Sequence, residues 1–391
     1  MTEAAQLQQL RGEFATRFGV SRAFSAPGRI NLIGEHTDYN EGLVLPIAID
    51  RRTYVVGAKR SDHYVSVRST NTGGEFTFDL DRPGSPRRSS WIDYVEGTAQ
   101  SMLKRDIAIS GANLLIASDI PIGAGLSSSA ALEMSVALAL ARLGGDCEPD
   151  GVELALCGQA AENDYVGARV GIMDQLITML AKEGTALLID CRTLERTAVP
   201  LNLGSAQILI CNTRVKHQLA SSAYNERREQ CERGVQLMRA RFPSIRSLRD
   251  VSREQFDSSA AGLPEPILRR CRHVIGENER VLRSSRALRQ GNLEEIGDLM
   301  VQSHRSLQGD YEVSCVELDA AVETAIAEAG VYGARMTGGG FGGCTITLLE
   351  EVAVDRVSAA IRARFRRQFS IEPELFVSSA CGGAREHEAH D

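Results

Sequence analysis

Three short segments concentrate residues able to do chemistry. In the first, Ala26-Pro-Gly-Arg-Ile-Asn-Leu-Ile-Gly-Glu-His-Thr-Asp-Tyr-Asn40, an apolar run gives way within four positions to Glu35, His36 and Asp38. Two carboxylates and an imidazole at the end of a strand could form a fan of acceptors for vicinal hydroxyls. Spacing alone leaves a solvated loop with Asp38 capping a turn equally open, and the usual ligand spacing of a metal site is missing. The second segment, Pro121-Ile-Gly-Ala-Gly-Leu-Ser-Ser-Ser-Ala-Ala131, follows an apolar run and opens an apolar helix. Its glycines let the backbone approach a ligand closely, and amides at a helix N-terminus attract an anion such as a triphosphate. Ser127 to Ser129 add hydroxyls that could cap the helix or coordinate Mg²⁺, while a plain glycine turn with a serine cap is the simpler alternative. The lysine of a Walker A loop is absent here, and no H-R-D or D-F-G set occurs elsewhere, so those two kinase classes are excluded. The third segment, Gly333-Ala-Arg-Met-Thr-Gly-Gly-Gly-Phe-Gly-Gly-Cys344, places five glycines in six positions just before the apolar run CTITLL. Glycine is costly unless positive φ or close approach requires it. A loop folding against an active site needs both, and a β-bulge leading into a strand is the other explanation.

The elements around these segments can be read from periodicity and punctuation. Short β-rich runs between Ala23 and Leu80 predict an antiparallel or mixed sheet. Tyr94 to Lys104 reads as a helix, Ala112 to Ser118 as a buried strand, and Ser127 to Leu143 as a strong helix after the glycine turn. Two further helical stretches surround Glu162 and Asp174, TALLIDC returns as a strand, and a Pro/Asn/Gly segment at 200–204 suggests a domain boundary. Beyond it AQILICNT is a strand, residues 219–308 are mainly helical and arginine-rich with a solvated face expected, and CTITLLE and EPELFVSSA are strands flanking a helix. The tail REHEAHD reads as frayed, its histidines solvated.

Composition limits the partners. The 391 residues are 43% hydrophobic, enough for two or three cored domains. Lys plus Arg total 44 against 51 acids, a net charge of -7 with no basic stripe, which argues against nucleic acid. Only Lys59, Lys104, Lys182 and Lys216 are lysines, so phosphate recognition must rest mainly on backbone amides, metal and arginine. Nine scattered cysteines without a C-x-x-C pair fit reduced thiols in a cytoplasm. No segment reads as a targeting peptide or a membrane span.

Taken in order, the three segments resemble the GHMP kinase superfamily, and the first looks like the signature of its galactokinase family, G-R-x-N-x-I-G-E-H-x-D-Y. Gly28 to Tyr39 match that signature at every fixed position, and Gly171-Ile-Met-Asp-Gln175 and Ser221-Ser-Ala-Tyr-Asn-Glu-Arg-Arg228 extend the likeness over nearly the whole chain. The resemblance implies a two-domain α/β (α+β) GHMP kinase fold, with a mixed-sheet N-terminal domain over 1–200, an α+β C-terminal domain over 201–391, and the active site in the cleft between them. It also implies transfer of the γ-phosphoryl of ATP to the C1 hydroxyl of galactose, as in the Leloir pathway of galactose catabolism. Asp174 then becomes the catalytic carboxylate with Arg29 beside it, where a guanidinium can stabilise charge on the transferred phosphoryl. A surface carboxylate is the plainer reading of Asp174, but its apolar surroundings, GIMDQLITML, oppose it. Glu35, His36, Asp38, Gly171 and Tyr224 match sugar-contacting positions. Gly123, Ala124, Gly125, Leu126, Ser127, Ser128 and Ser129 match the nucleotide loop, Trp91 and Tyr94 the adenine cover, and Ser129 and Glu162 the Mg²⁺ ligands. A buried aromatic core pair is the alternative for Trp91 and Tyr94.

Two rivals stand beside this expectation. A kinase for a related sugar, N-acetylgalactosamine or arabinose, would carry nearly the same motifs. A regulatory protein that binds galactose and ATP without catalysis would be expected to lose the serine-rich helix start or the aspartate, and both are present. The expected protein is a cytoplasmic enzyme, a monomer or small homo-oligomer, acting on small molecules.

Overall fold

The computed structural model describes residues 2–82, 87–145, 148–216 and 220–388. Helix α1 (Glu3–Phe18) starts on the Thr2 hydroxyl, which accepts from the Ala5 N–H, and turns Leu7, Leu10 and Phe14 inward at helical spacing. Strand β1 (Arg22–Asn31) follows, then β2 (Leu43–Val44), β3 (Pro46–Lys59), β4 (Tyr64–Ser69) and β5 (Glu75–Asp79). Helix α2 (Ile92–Lys104) leads to β6 (Ala112–Ser118), and α3 (Ser128–Gly144), α4 (Gly151–Ala160) and α5 (Met173–Leu180) precede β7 (Thr185–Asp190) and β8 (Arg196–Pro200). The remaining chain runs through β9 (Ala206–Lys216), α6 (Ala220–Arg239), α7 (Arg253–Ser259), α8 (Ile267–Gln290), α9 (Leu293–Ser306), α10 (Val316–Ile326), β10 (Val331–Thr337), β11 (Gly342–Glu350), α11 (Val354–Phe369), β12 (Glu374–Ser378) and β13 (Arg385–His387).

A six-stranded sheet with order β13-β1-β3-β6-β4-β5 forms the first layer, and it is mixed because β4 pairs parallel with β6 while the other pairs are antiparallel. A second sheet, β10-β11-β9-β12, carries the glycine-rich third segment between β10 and β11. Helix α3, apolar nearly all round, is buried against β1 and β3, as expected of a helix with no polar face to offer water. One hydrophobic cluster spans both parts: Ile30 and Ile47 of the first sheet share it with Ile210 and Ile346 of the second and with Val281 of α8. That shared core fixes the first segment against the third.

Two expectations are corrected. The tail is paired over Arg385–His387, with Ala23 opposite His387. Arg385 binds Glu3, Glu386 takes the fork of Arg22, and buried His387 lies 2.8 Å from the Ser25 hydroxyl, so ion pairs and a buried imidazole hold the strand. His390 lies outside the described residues. The arginine-rich helices are not merely solvated either: Arg270 is 2% exposed and ties α8 to the Asp310 carbonyl and the Glu312 carboxylate. Among the described residues no helix is long and apolar enough to cross a membrane.

Candidate active site

The centre of the site lies where the pairing of β1 with β3 is interrupted. Pro27 stands opposite Arg52 but Arg29 opposite Ala48, so the extra residues lie on β3, and at Gly28 a Cβ would stand 2.8 Å from the Leu126 carbonyl oxygen. That close approach lets the Arg29 backbone N–H donate to Leu126 O at 3.1 Å. The Arg29 guanidinium grips Asp174 with both arms, Nε to Oδ1 at 2.8 Å and Nη2 to Oδ2 at 2.7 Å, while Nη1 donates to Gly125 O at 2.6 Å. Asp174 sits in the first turn of α5, and the Ser127 hydroxyl donates to its Oδ2. Ser127 was open to being a helix cap. It adopts φ 57° and makes no side-chain cap hydrogen bond, because its hydroxyl is committed to the aspartate. The first segment, the second and the start of α5, 96 and 145 residues downstream of Arg29, thus meet at one ion pair, while the third segment reaches the first at Glu35 through Thr337 and Gly338.

On one side of that pair lies a cavity of about 680 Å³ lined by Arg29, Glu35, His36, Asp38, Gly171, Asp174, Tyr224 and the glycines 338–340. All the residues expected to contact sugar therefore face one space. Their engagements differ. Asp38 is half-buried with Oδ1 accepting from Tyr39 N, and burial reinforced by Asp174 pushes its carboxyl up to about 6. Gly171 is what admits it, since a Cβ there would stand 2.0 Å from Asp38 Oδ2. If this cavity holds the expected sugar, Gly171→Ala should raise the KM for that sugar about tenfold or more while leaving the KM for ATP nearly unchanged, because the added methyl must displace the carboxylate; steady-state kinetics with each substrate varied would check it. Glu35 is 1% exposed and already held by protein groups: Thr337 Oγ1 at 3.2 Å, Gly338 N at 3.0 Å, Asn31 Nδ2 at 3.1 Å and the Arg335 guanidinium at 2.5 Å. Burial raises its carboxyl above the usual range against the pull of Arg335.

A separate groove of about 310 Å³ is lined by Trp91, Tyr94, Gly123, Ser128, Ser129, Asn71 and Ile122. Tyr94 borders both spaces. Trp91 stands edge-on to Phe76, centroids 5.6 Å apart, so it packs on the core while lining the groove. Gly123 and Gly125 take φ 69° and 76°, the left-handed turn that the loop needs before α3. Ala124 and Leu126 point instead into the apolar core and pin the loop there. Glu162, on a π-helical turn over Ala161–Val166, is buried beside the groove. Burial, with Asp174 adding to it, pushes its carboxyl up to about 7 against the Ser129 hydroxyl and the Gln175 amide.

Sequence reasoning missed the supports. Arg335 and Glu277 are fully buried; Arg335 Nη1 donates to the Asn31 and Leu32 carbonyls at 3.0 Å each, and Glu277 accepts from Gly34 N and the Ser303 hydroxyl. Glu133 and Gln175 are also fully buried, the amide of Gln175 donating to both Glu133 and Glu162. The available signal was an arginine inside the apolar strand Ala334–Met336 and a lone acid inside the apolar helix α3.

Known proteins resemble this chain in sequence and in fold. The galactokinase galactose-binding signature matches residues 12–59, the GHMP kinases N terminal domain 93–182 and the GHMP kinases C terminal 284–367. A galactokinase of Chloroflexus aggregans (strain MD-66 / DSM 9485) is 44% identical over 379 residues, covering 96% of this chain and 97% of that protein. The galactokinase of Homo sapiens is 43% identical, covering 98% and 97% respectively. The crystal structure of Lactococcus lactis galactokinase complexed with galactose superposes with a TM-score of 0.94 at 37% identity, over 97% of this chain and 99% of that one. With the first two segments joined at the Arg29–Asp174 pair, the third latched to the first at Glu35, and relatives this similar over nearly their full length, the chain belongs to the galactokinase family of GHMP kinases.

Proposed function

We propose that this chain is a galactokinase, moving the γ-phosphoryl group of MgATP to the C1 hydroxyl of α-D-galactose and yielding galactose 1-phosphate and ADP in the cytoplasm, as the Leloir pathway requires. The observation that carries this reading is the bidentate Arg29–Asp174 pair in the wall of a cavity that also presents Glu35, His36, Asp38 and Tyr224 and shares Tyr94 with a groove at the glycine-rich helix start. Asp174 orients the anomeric hydroxyl and takes up its proton, and Arg29 offsets charge on the phosphoryl in flight. The acceptor and donor are held in line, so no covalent enzyme intermediate is needed. Glu35, His36, Asp38 and Tyr224 shape the sugar cavity, amides at the start of α3 receive the phosphates, and Trp91 and Tyr94 cover the base.

Ser129 and Glu162 would hold Mg²⁺. Both offer oxygen ligands, which suit a hard cation, and two nearby buried oxygens, Glu133 Oε1 and Gln175 Oε1, have no hydrogen-bond partner among the described residues, which leaves acceptors open for its hydration shell. When bound, the ion neutralises charge on the β- and γ-phosphates. We further propose that the chain divides near residue 200, β13 being the element that returns to the first sheet.

ADP release from MgATP by the purified protein, compared across no sugar, galactose, glucose, N-acetylgalactosamine and arabinose, tests the reading. Release that depends strongly on galactose supports it; turnover only with another sugar moves the substrate, and none despite binding of both ligands makes the protein a regulator. A pH effect is also expected. With the Asp38 carboxyl raised to about 6, acidification through that value protonates it and removes an acceptor for a sugar hydroxyl. Galactose KM should therefore rise as pH falls from about 7 to about 5, and the Asp38→Asn enzyme, weaker throughout, should show a flatter profile.

A further inference from the structure

Behind the sugar cavity runs a buried chain of hydrogen-bonding groups that phosphoryl transfer does not use. His36 adopts φ 64°, a left-handed conformation uncommon outside glycine, held by the Asn40 amide donating to its carbonyl at 2.9 Å. Its ring forms part of the cavity wall. Nδ1 lies 2.8 Å from the Tyr39 hydroxyl, that hydroxyl 2.8 Å from the Tyr311 hydroxyl, and the latter 3.1 Å from Cys231 Sγ. Tyr311 and Cys231 are fully buried, on segments that follow α9 and lie within α6. The other ring nitrogen, Nε2, is buried in that wall and makes no hydrogen bond of good geometry among the described residues, while the Gly339 backbone lies near enough to the ring to favour an N–H on it.

Each phenol owns one proton, so a complete chain has only two arrangements. In one, Nδ1–H donates to Tyr39 and every proton points toward Cys231, leaving Nε2 a bare acceptor. In the other, the protons point toward the imidazole and Nε2–H is a donor. The ring stays neutral, since burial, with His273 and Arg227 nearby, drives its pKa down to about 3. Its tautomer is therefore the one variable left: on the intact chain it changes only if every proton reverses together, so the tyrosines hold one arrangement where a cut chain would let the ring exchange.

We propose that Tyr311, acting through Tyr39, is a positioning residue that locks a single neutral tautomer of His36 and so decides whether Nε2 donates to or accepts from a sugar hydroxyl. This rests on the reading of the cavity as the sugar site. Specificity then comes from a hydroxyl that the sugar never touches, because a ring free to exchange tautomers presents the wrong polarity part of the time.

The test compares wild type, Tyr311→Phe, His36→Asn and the double variant, asparagine being chosen because it tolerates the left-handed conformation. Tyr311→Phe should raise galactose KM about five- to tenfold with ATP KM and kcat within about twofold, and should add less than about twofold in the His36→Asn background. The ring ¹⁵N shifts of His36, assigned by their loss in His36→Asn, should move from one tautomer in the wild type to an average of two in Tyr311→Phe. A purely packing role for Tyr311 predicts a lower melting temperature with unchanged shifts, or KM effects that add in the double variant, and either would overturn the proposal. If His36→Asn leaves galactose KM unchanged, the sugar-site reading of His36 is what fails. Should Tyr311→Phe not fold, Tyr39→Phe cuts the same chain one link earlier and is judged by the same shifts.

Discussion

Asp174→Asn is expected to reduce kcat by about 10³-fold or more, with galactose and nucleotide binding still measurable by calorimetry. The substitution keeps the shape of the side chain and removes its charge and its ability to take a proton. Arg29 would keep an acceptor for only one arm, and with the amide NH2 in the place of Oδ2 the Ser127 hydroxyl would lose the acceptor that holds it out of the capping position. The groups that shape the two cavities survive, because Asp38, His36, Tyr224 and the start of α3 are held by contacts of their own. Turnover near that of the wild type would remove Asp174 from the chemistry. Loss of binding together with turnover would make the pair with Arg29 a structural clamp.

The second large effect belongs to a residue that touches neither cavity directly. Arg335→Met should destabilise the fold by about 3–5 kcal/mol, because it strands a buried carboxylate and two carbonyls that the guanidinium now satisfies. Arg335 is fully buried, pairs with Glu35 at 2.5 Å and lies 4.0 Å from Glu277, which is buried as well. Methionine fills much of the same volume, so the loss is electrostatic more than steric. Adding Glu35→Gln should recover about 1 kcal/mol or more by removing the unpaired charge. Urea denaturation of the two variants decides the matter: a cost below about 1 kcal/mol for Arg335→Met would mean that the pair does not bind the first and third segments together.

The same network explains why Glu35 looked simpler in sequence than it is. In the motif it is one of three polar residues at a strand end, free to face a ligand. In the fold it is the point where Gly338 and Thr337 of the glycine-rich loop, Asn31 of β1 and Arg335 of β10 converge. Its pocket-facing role and its latching role are compatible only because a carboxylate carries two oxygens with several acceptor sites.

Much of the site was legible beforehand because its requirements are local. Glycines at 123 and 125 are needed wherever the backbone must turn left-handed before a helix, the strand Ala112–Ser118 is announced by its apolar run, and α3 by the apolar stretch that follows the serines. These features let the sequence by itself determine the order of strand, loop and helix, the identity of the three segments and, through their joint resemblance to a known family, the chemistry to expect. Tertiary structure decided the rest. That Ser127 serves Asp174 instead of capping α3, that Glu35 is clamped by a residue 300 positions downstream, that Arg270 is buried in a helix rich in arginine, and that the tail closes a sheet edge are all settled by partners distant in sequence. A polar side chain carries no mark of whether it will meet water, a ligand or another buried charge; only the burial that the whole fold imposes makes an unmet partner costly enough to determine which one it takes.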